Sequence, residues 1–196
     1  MKIYAVLHQE HVQILRLLQR ARRATGQKRR VILNEAIDEL TAHGRAEEEV
    51  LYDRLSDVAD VHALMLASKE EHLVATRIMA DLAVMDADDE RCAAKISVLS
   101  VALRHHIAQE EDGLFAQARL LFDDVIAENF AGEFVEAKAA AQLIAVEDRL
   151  IEALALGRFG RPPQMISAGD WGLESGFKSL SEEPTANGYA RFSGNF

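Results

Sequence analysis

Residues 40–52 of the chain read Leu-Thr-Ala-His-Gly-Arg-Ala-Glu-Glu-Glu-Val-Leu-Tyr. Within this stretch Leu40, His43, Glu47 and Leu51 recur at spacings of three and four residues, which places them on one face of an α-helix. A histidine and a glutamate therefore share the face that the leucines assign to a protein interior. The pattern predicts a helix that packs in a bundle around a polar site.

The same helical period runs through the rest of the first 122 residues. It predicts four helices, over about residues 2–24, 28–57, 61–85 and 89–121. Their short connections favour antiparallel neighbours, so we predict an all-α, up-down-up-down four-helix bundle over residues 1–122. An additional C-terminal helix is predicted over residues 123–156, docked outside the bundle and ending before Gly157.

The composition changes after this fifth helix. All three prolines and seven of the eleven glycines lie between residues 157 and 196, which predicts an irregular tail. The tail also holds six aromatic residues, Phe159, Trp171, Phe177, Tyr189, Phe192 and Phe196. Two interpretations remain open: the aromatic residues pack on the bundle or in a homo-oligomer interface, or they dock another protein.

Bulk properties exclude several classes of protein. No segment approaches the roughly 20 apolar residues of a membrane span, and the first residues lack the apolar core of a signal peptide. We therefore expect a cytoplasmic protein without membrane contact. The net charge of −10 argues against nucleic acid, although a basic run from Arg16 to Arg30 surrounds Gly26, where we expect a helix to end. The single cysteine, Cys92, rules out a thiolate metal cluster.

Six polar side chains fall on the interior faces of the four predicted helices. They are His11, His43, Glu47, His72, His106 and Glu110. Because burying such groups without partners is costly, they need a common partner, and a metal cluster supplies one. Four imidazoles with two carboxylates suit iron better than calcium or magnesium, and six donors exceed the needs of one ion. His8, three residues before His11, is a candidate additional ligand.

These motifs resemble those of the hemerythrin-like (HHE cation-binding) domain family over about residues 1–120. The matching stretches are Glu10-His11, His43-Gly-Arg-Ala-Glu47-Glu48-Glu49-Val-Leu-Tyr52, Glu70-Glu71-His72 and His106-Ile-Ala-Gln-Glu110-Glu111-Asp-Gly-Leu-Phe115. The resemblance implies a non-haem, carboxylate-bridged centre of two Fe ions held by the six residues. Oxygen-carrying hemerythrins have a second histidine four residues after the one on helix three. Thr76 stands there in this chain, so it looks like the six-ligand bacterial branch.

The first functional hypothesis is an enzyme or scavenger that reacts with peroxide, oxygen or nitric oxide, in defence against oxidative or nitrosative stress. The second is a non-catalytic sensor of oxygen, redox state or iron. Iron storage is a weaker hypothesis, because ferritin-like sites pair Glu and His at spacing three, whereas the spacing here is four. A helical adaptor without metal is the remaining alternative.

Overall fold

Helices account for nearly all of the part of the chain that the structure, a computed structural model, describes: the backbone of residues 1–155 and the side chains through residue 147. Four long helices form the frame. They are α1 (Ile3–Arg23), α2 (Gly26–Glu47), α4 (Ala59–Val84) and α5 (Glu90–Gln109). Shorter segments continue two of them, and a fifth long helix, α7 (Asp124–Ala155), follows. No strand occurs among these residues.

The four long helices close into a ring. Helix α1 packs against α2 and α5, and α4 packs against the same two neighbours from the opposite side. Helix α7 lies outside the ring, against α1 and α2. The predicted all-α four-helix bundle with an additional helix is therefore confirmed. The predicted tail, residues 157–196, lies outside the described residues.

The second and fourth bundle helices are each interrupted by a π-helical segment, which the period of the sequence did not predict. One segment, Glu48–Tyr52, joins α2 to the short α3 (Asp53–Leu55). The other, Glu110–Leu114, joins α5 to α6 (Phe115–Leu121). In the second segment the Phe115 N–H donates to the carbonyl of Glu110, five residues earlier, instead of the usual four. Each wide turn begins at or directly after a predicted glutamate ligand.

The turn between α1 and α2 corrects one expectation. Gly26 begins α2 instead of ending α1, with a positive φ of 54° that suits glycine. Nearby, Arg30 donates to the carbonyls of Leu82 and Ala83 at the end of α4, at 3.0 and 3.1 Å. Arg29 is buried and donates to the carbonyl of Ala87. Part of the basic run thus holds the end of a neighbouring helix.

Two apolar cores fill the bundle, one on each side of a polar layer. The first extends through Leu7, Val50 and Phe115 to the α7 residue Phe134. The second lies at the α1–α2 turn end of the bundle and includes Ile14, Leu40, Ala75, Met79 and Leu103. The predicted histidine ligands lie between the two cores in sequence on every bundle helix, as His11 lies between Leu7 and Ile14. No helix in the described part of the chain has an apolar stretch long enough to cross a membrane.

Candidate metal centre

The structure brings all six predicted ligands into one buried layer. Five are at most 4% exposed, and His72 is partly buried. The donor atoms of five of them fall into two groups, each with ligand atoms within 4.8 Å of one another. His11, His43 and Glu47 form one group, and Glu47, His72 and His106 form the other. Glu47 belongs to both, so one carboxylate joins two groups of donors that could each hold a metal ion.

Glu110 also lies between the two histidine pairs. Its Oε2 is 3.4 Å from His11 Nε2 and 3.3 Å from His106 Nε2. The Oε2 atom of Glu47 is likewise 3.6 Å from both His43 Nε2 and His72 Nε2. Each carboxylate therefore spans one histidine from each pair. This is the arrangement that two carboxylate bridges between two ions require.

Several buried polar atoms of the layer have no hydrogen-bond partner. They include both ring nitrogens of His43, both carboxylate oxygens of Glu47, His11 Nε2 and Glu110 Oε2. Leaving a buried polar atom unpaired costs about 1 to 3 kcal/mol, more for a charged group. Metal ions in the layer would satisfy these atoms together, so the residues present fit a metal centre.

Three glutamates outside the cluster hold the outer nitrogens of three histidines. Glu111 Oε1 is 2.9 Å from His11 Nδ1, and Glu48 Oε1 is 2.6 Å from His72 Nδ1. Glu71 Oε2 is 3.0 Å from the Nδ1 of the third, His106. A carboxylate at Nδ1 favours a proton there and leaves Nε2 free to bind a metal.

Sequence reasoning gave no role to these outer glutamates. A signal was present, because Glu48 follows Glu47, Glu111 follows Glu110 and Glu71 precedes His72. Each stands next to a ligand on its own helix but contacts a histidine on another. The partner depends on how the helices are rotated and aligned, which helical period alone does not determine.

His43 is held by aromatic packing instead of by a carboxylate. Its ring meets the edge of Phe134 on α7, with 5.7 Å between ring centroids and an interplanar angle of 74°. The His11 ring packs against it at 4.9 Å. The fifth long helix therefore contributes directly to the wall of the site, a contact that the sequence did not reveal.

Tyr52 closes the carboxylate side of the layer. It is fully buried, and its hydroxyl donates to Glu110 Oε1. Its ring stacks on His72 with a centroid distance of 5.6 Å and an interplanar angle of 19°. Burial and the nearby Glu47 carboxylate raise the pKa of Tyr52 well above its usual value, so the phenol stays protonated as a donor.

In the metal-free chain the histidines and carboxylates of the cluster shift one another's pKa values. Burial opposes protonation of His11 and His72, but contacts with Glu110 and Glu47, respectively, raise their pKa values to about 9 and about 10. Burial and the neighbouring His11 lower the pKa of His43 instead. Burial and the Glu110 carboxylate raise the pKa of Glu47. Because histidine must be neutral to bind a metal, metal binding has to release protons here.

The remaining histidines lie outside the cluster. His8 is exposed, and its Nδ1 is 3.0 Å from the Glu111 carboxylate, so the structure does not bring this candidate ligand to the other six. His105 is exposed beside Glu71, at 3.4 Å, and His62 is exposed on the first turns of α4. His8 therefore contacts Glu111, the carboxylate that holds the predicted ligand His11, and not the cluster itself.

An antiparallel helical bundle with a buried layer of four histidines and two spanning glutamates defines a histidine–carboxylate metal-binding protein. Residues 2–118 match the model of the hemerythrin HHE cation-binding domain. The chain belongs to this family. A search of curated proteins found no match.

The fold is also similar to a solved structure, that of a hemerythrin HHE cation-binding domain-containing protein from Mycobacterium kansasii. The TM-score is 0.64 at 19% sequence identity, and the alignment covers 82% of this chain and 94% of the other. At this identity the likeness supports the fold alone.

Proposed function

We propose that the protein holds two iron ions in a carboxylate-bridged centre. His11 and His43 would bind one ion, His72 and His106 the other, and Glu47 and Glu110 both. The observation that carries this assignment is the sharing of Glu47 between two donor groups. A single ion would use one group and leave the second histidine pair without a metal.

The donor set favours iron among the common metals. Calcium and magnesium prefer shells of oxygen only, whereas imidazole with carboxylate suits iron. The protein offers each ion two nitrogens and two bridging oxygens, which leaves coordination positions open for small molecules. We propose that these molecules are small oxidants: peroxide, oxygen or nitric oxide.

When bound, two ferrous ions supply two electrons, the number that reduction of one peroxide O–O bond needs. The chain's own residues would hold the ligands in place. Glu48, Glu71 and Glu111 orient three imidazoles, and Tyr52 orients Glu110. We propose that a protein reacting with these oxidants acts in defence against oxidative or nitrosative stress.

Iron content tests the proposed centre directly. Full-length protein from iron-replete cells should contain close to two irons per chain by elemental analysis. Glu47→Ala and Glu110→Ala should each reduce that number, because each removes a bridge. Glu49→Ala is the matched control, since Glu49 is exposed near the same helix end and should keep both irons. Full iron content in either bridge variant would contradict the assignment.

The rate of peroxide consumption separates the two functional hypotheses. An enzyme or scavenger should consume peroxide catalytically when iron-loaded and supplied with a reductant. A sensor of oxygen, redox state or iron needs no turnover. Loss of consumption in Glu110→Ala, with normal rates in Glu49→Ala, would support the enzymatic hypothesis.

A further inference from the structure

A cavity of about 170 Å³ lies against the histidine side of the centre. All four ligand histidines contribute to its wall, whereas Glu47 and Glu110 are not part of the wall that the described residues form. The rest is mainly apolar and comes from all four bundle helices. Its apolar side chains are Ile14, Leu40, Ala75, Met79, Leu103 and Ile107.

The cavity reaches the surface between α2 and α4. Arg45 and Thr76 line it and are themselves exposed. Gly44 contributes no side chain there, and a Cβ atom at this position would approach the His72 ring to 3.6 Å. A molecule that enters between these helices passes Arg45 and Thr76 and reaches a wall that contains all four ligand histidines.

The size and lining of the cavity suit one class of ligand. An apolar cavity of about 150 Å³ in a protein core is large enough to bind benzene. The present cavity is slightly larger, and its wall adds to the apolar side chains the four histidines and four further polar residues, Thr41, Arg45, Glu48 and Thr76. A molecule with an apolar body of this size and one small polar end would match both the wall and the histidines.

We propose that the cavity binds the apolar body of a small organic hydroperoxide, of about the size of tert-butyl hydroperoxide. Organic hydroperoxides are then preferred over hydrogen peroxide, which has no apolar part to bury against the wall. The inference rests on the proposed function, since it names the substrate class of that centre. Reduction breaks the O–O bond, takes up two electrons from the centre and two protons from solvent, and releases one alcohol and one water.

Binding can be measured without any iron chemistry. The full chain is loaded with zinc, which is redox-inactive and diamagnetic, and carries ¹³C at its methionine methyl groups. The Met79 methyl reports on the cavity wall, and Met65, in the other apolar core, is the internal control. Titration with tert-butyl hydroperoxide, or with its unreactive product tert-butanol, should shift the Met79 signal in a saturable way and leave Met65 unchanged.

Two variants fill the cavity from different sides. Thr76→Leu narrows its exposed mouth, and Ala75→Leu adds carbon atoms to its buried wall. Each should weaken binding about tenfold, the effect of excluding roughly two methylene groups from apolar contact. Val74→Leu is the matched control, because Val74 is exposed on the same helix and does not line the cavity.

The iron-loaded protein supplies the second arm of the test. The ratio of tert-butyl hydroperoxide to hydrogen peroxide consumption should fall in Thr76→Leu and stay constant in Val74→Leu. A Met79 signal that does not move, or that moves equally in Thr76→Leu, overturns the proposal even if hydrogen peroxide is consumed. Iron-loaded protein that consumes neither peroxide contradicts the proposed reaction with peroxide instead, and the zinc titration alone then shows whether the cavity binds the apolar body.

Discussion

The hydroxyl of Tyr52 donates to one oxygen of Glu110, while the other oxygen of the same carboxylate lies between His11 and His106. The phenol therefore fixes which oxygen faces the proposed metal positions. Tyr52 reaches this place because the π-helical segment ends at it. The orientation of Glu110 thus depends on the hydrogen bond at its Oε1 atom as well as on the histidines beside its Oε2 atom.

Tyr52→Phe should weaken iron binding about 10- to 100-fold, the usual effect of removing a hydrogen bond that orients a metal ligand. Glu110 would keep its place but lose the donor at Oε1. Competition with a chelator of known iron affinity measures the change. Tyr4→Phe is the matched control, because the buried Tyr4 hydroxyl has no hydrogen-bond partner. Equal affinity in both variants would mean that the Tyr52 contact does not orient Glu110.

The outer glutamates should matter in the same way. Glu71→Ala removes the carboxylate at His106 Nδ1 and should reduce iron affinity about 10- to 100-fold without abolishing the fold. Glu70→Ala, an exposed neighbour on α4, should have no effect. The same chelator competition provides the measurement, with circular dichroism as the check on folding. Wild-type affinity in Glu71→Ala would show that packing alone positions His106.

Removal of iron should lower the melting temperature. Metal binding only to the folded state adds about 2.7 kcal/mol per site when free metal is 100 times the dissociation constant. For a domain of this size, that corresponds to a shift of about 5 to 10 °C for one site. Differential scanning calorimetry before and after chelation tests it. An unchanged melting temperature would count against a buried metal centre.

Exposure of the di-ferrous protein to oxygen should oxidise it irreversibly. Reversible carriage is helped by a fifth histidine, and α4 brings only His72 to the described cluster, with Thr76 one turn further along at the cavity mouth. His8→Ala should behave like the wild type, since His8 lies outside the cluster. Optical spectra through cycles of oxygen addition and removal follow the reaction. Repeated full return to the di-ferrous spectrum in the wild type would refute this prediction.

The helical period predicted the bundle because nearly every inward position was either apolar or one of six histidines and glutamates. The spacing of four residues between His43 and Glu47, and between His106 and Glu110, was sufficient to place each pair on one face of its helix. The six residues do converge in the structure, five in the two donor groups and Glu110 beside His11 and His106. Their roles as iron ligands remain a prediction for the iron analysis and the variants to test.

The π-helical segments could not be predicted from the same period. In a continuous α-helix, a residue five positions after Glu47 points about 140° away from it, which assigns Tyr52 to another face. The wide turn places residues five apart one above the other, and so directs Tyr52 back to the site. The contact of Phe134 with His43 was equally hidden, because nothing in α7 alone shows which bundle helices it covers.

The separation of the two apolar cores by a polar layer has a mechanical consequence. Hydrophobic contacts stabilise the bundle at both ends. The stability of the polar layer in the middle depends on the metal ions that would pair with its buried nitrogens and oxygens. Without metal, amide hydrogens of α4 and α5 near His72 and His106 should exchange faster than those at Leu82 and Leu99, which are fully buried. The metal-free bundle would then open locally at its middle more often than at its ends, and an ion could enter without global unfolding.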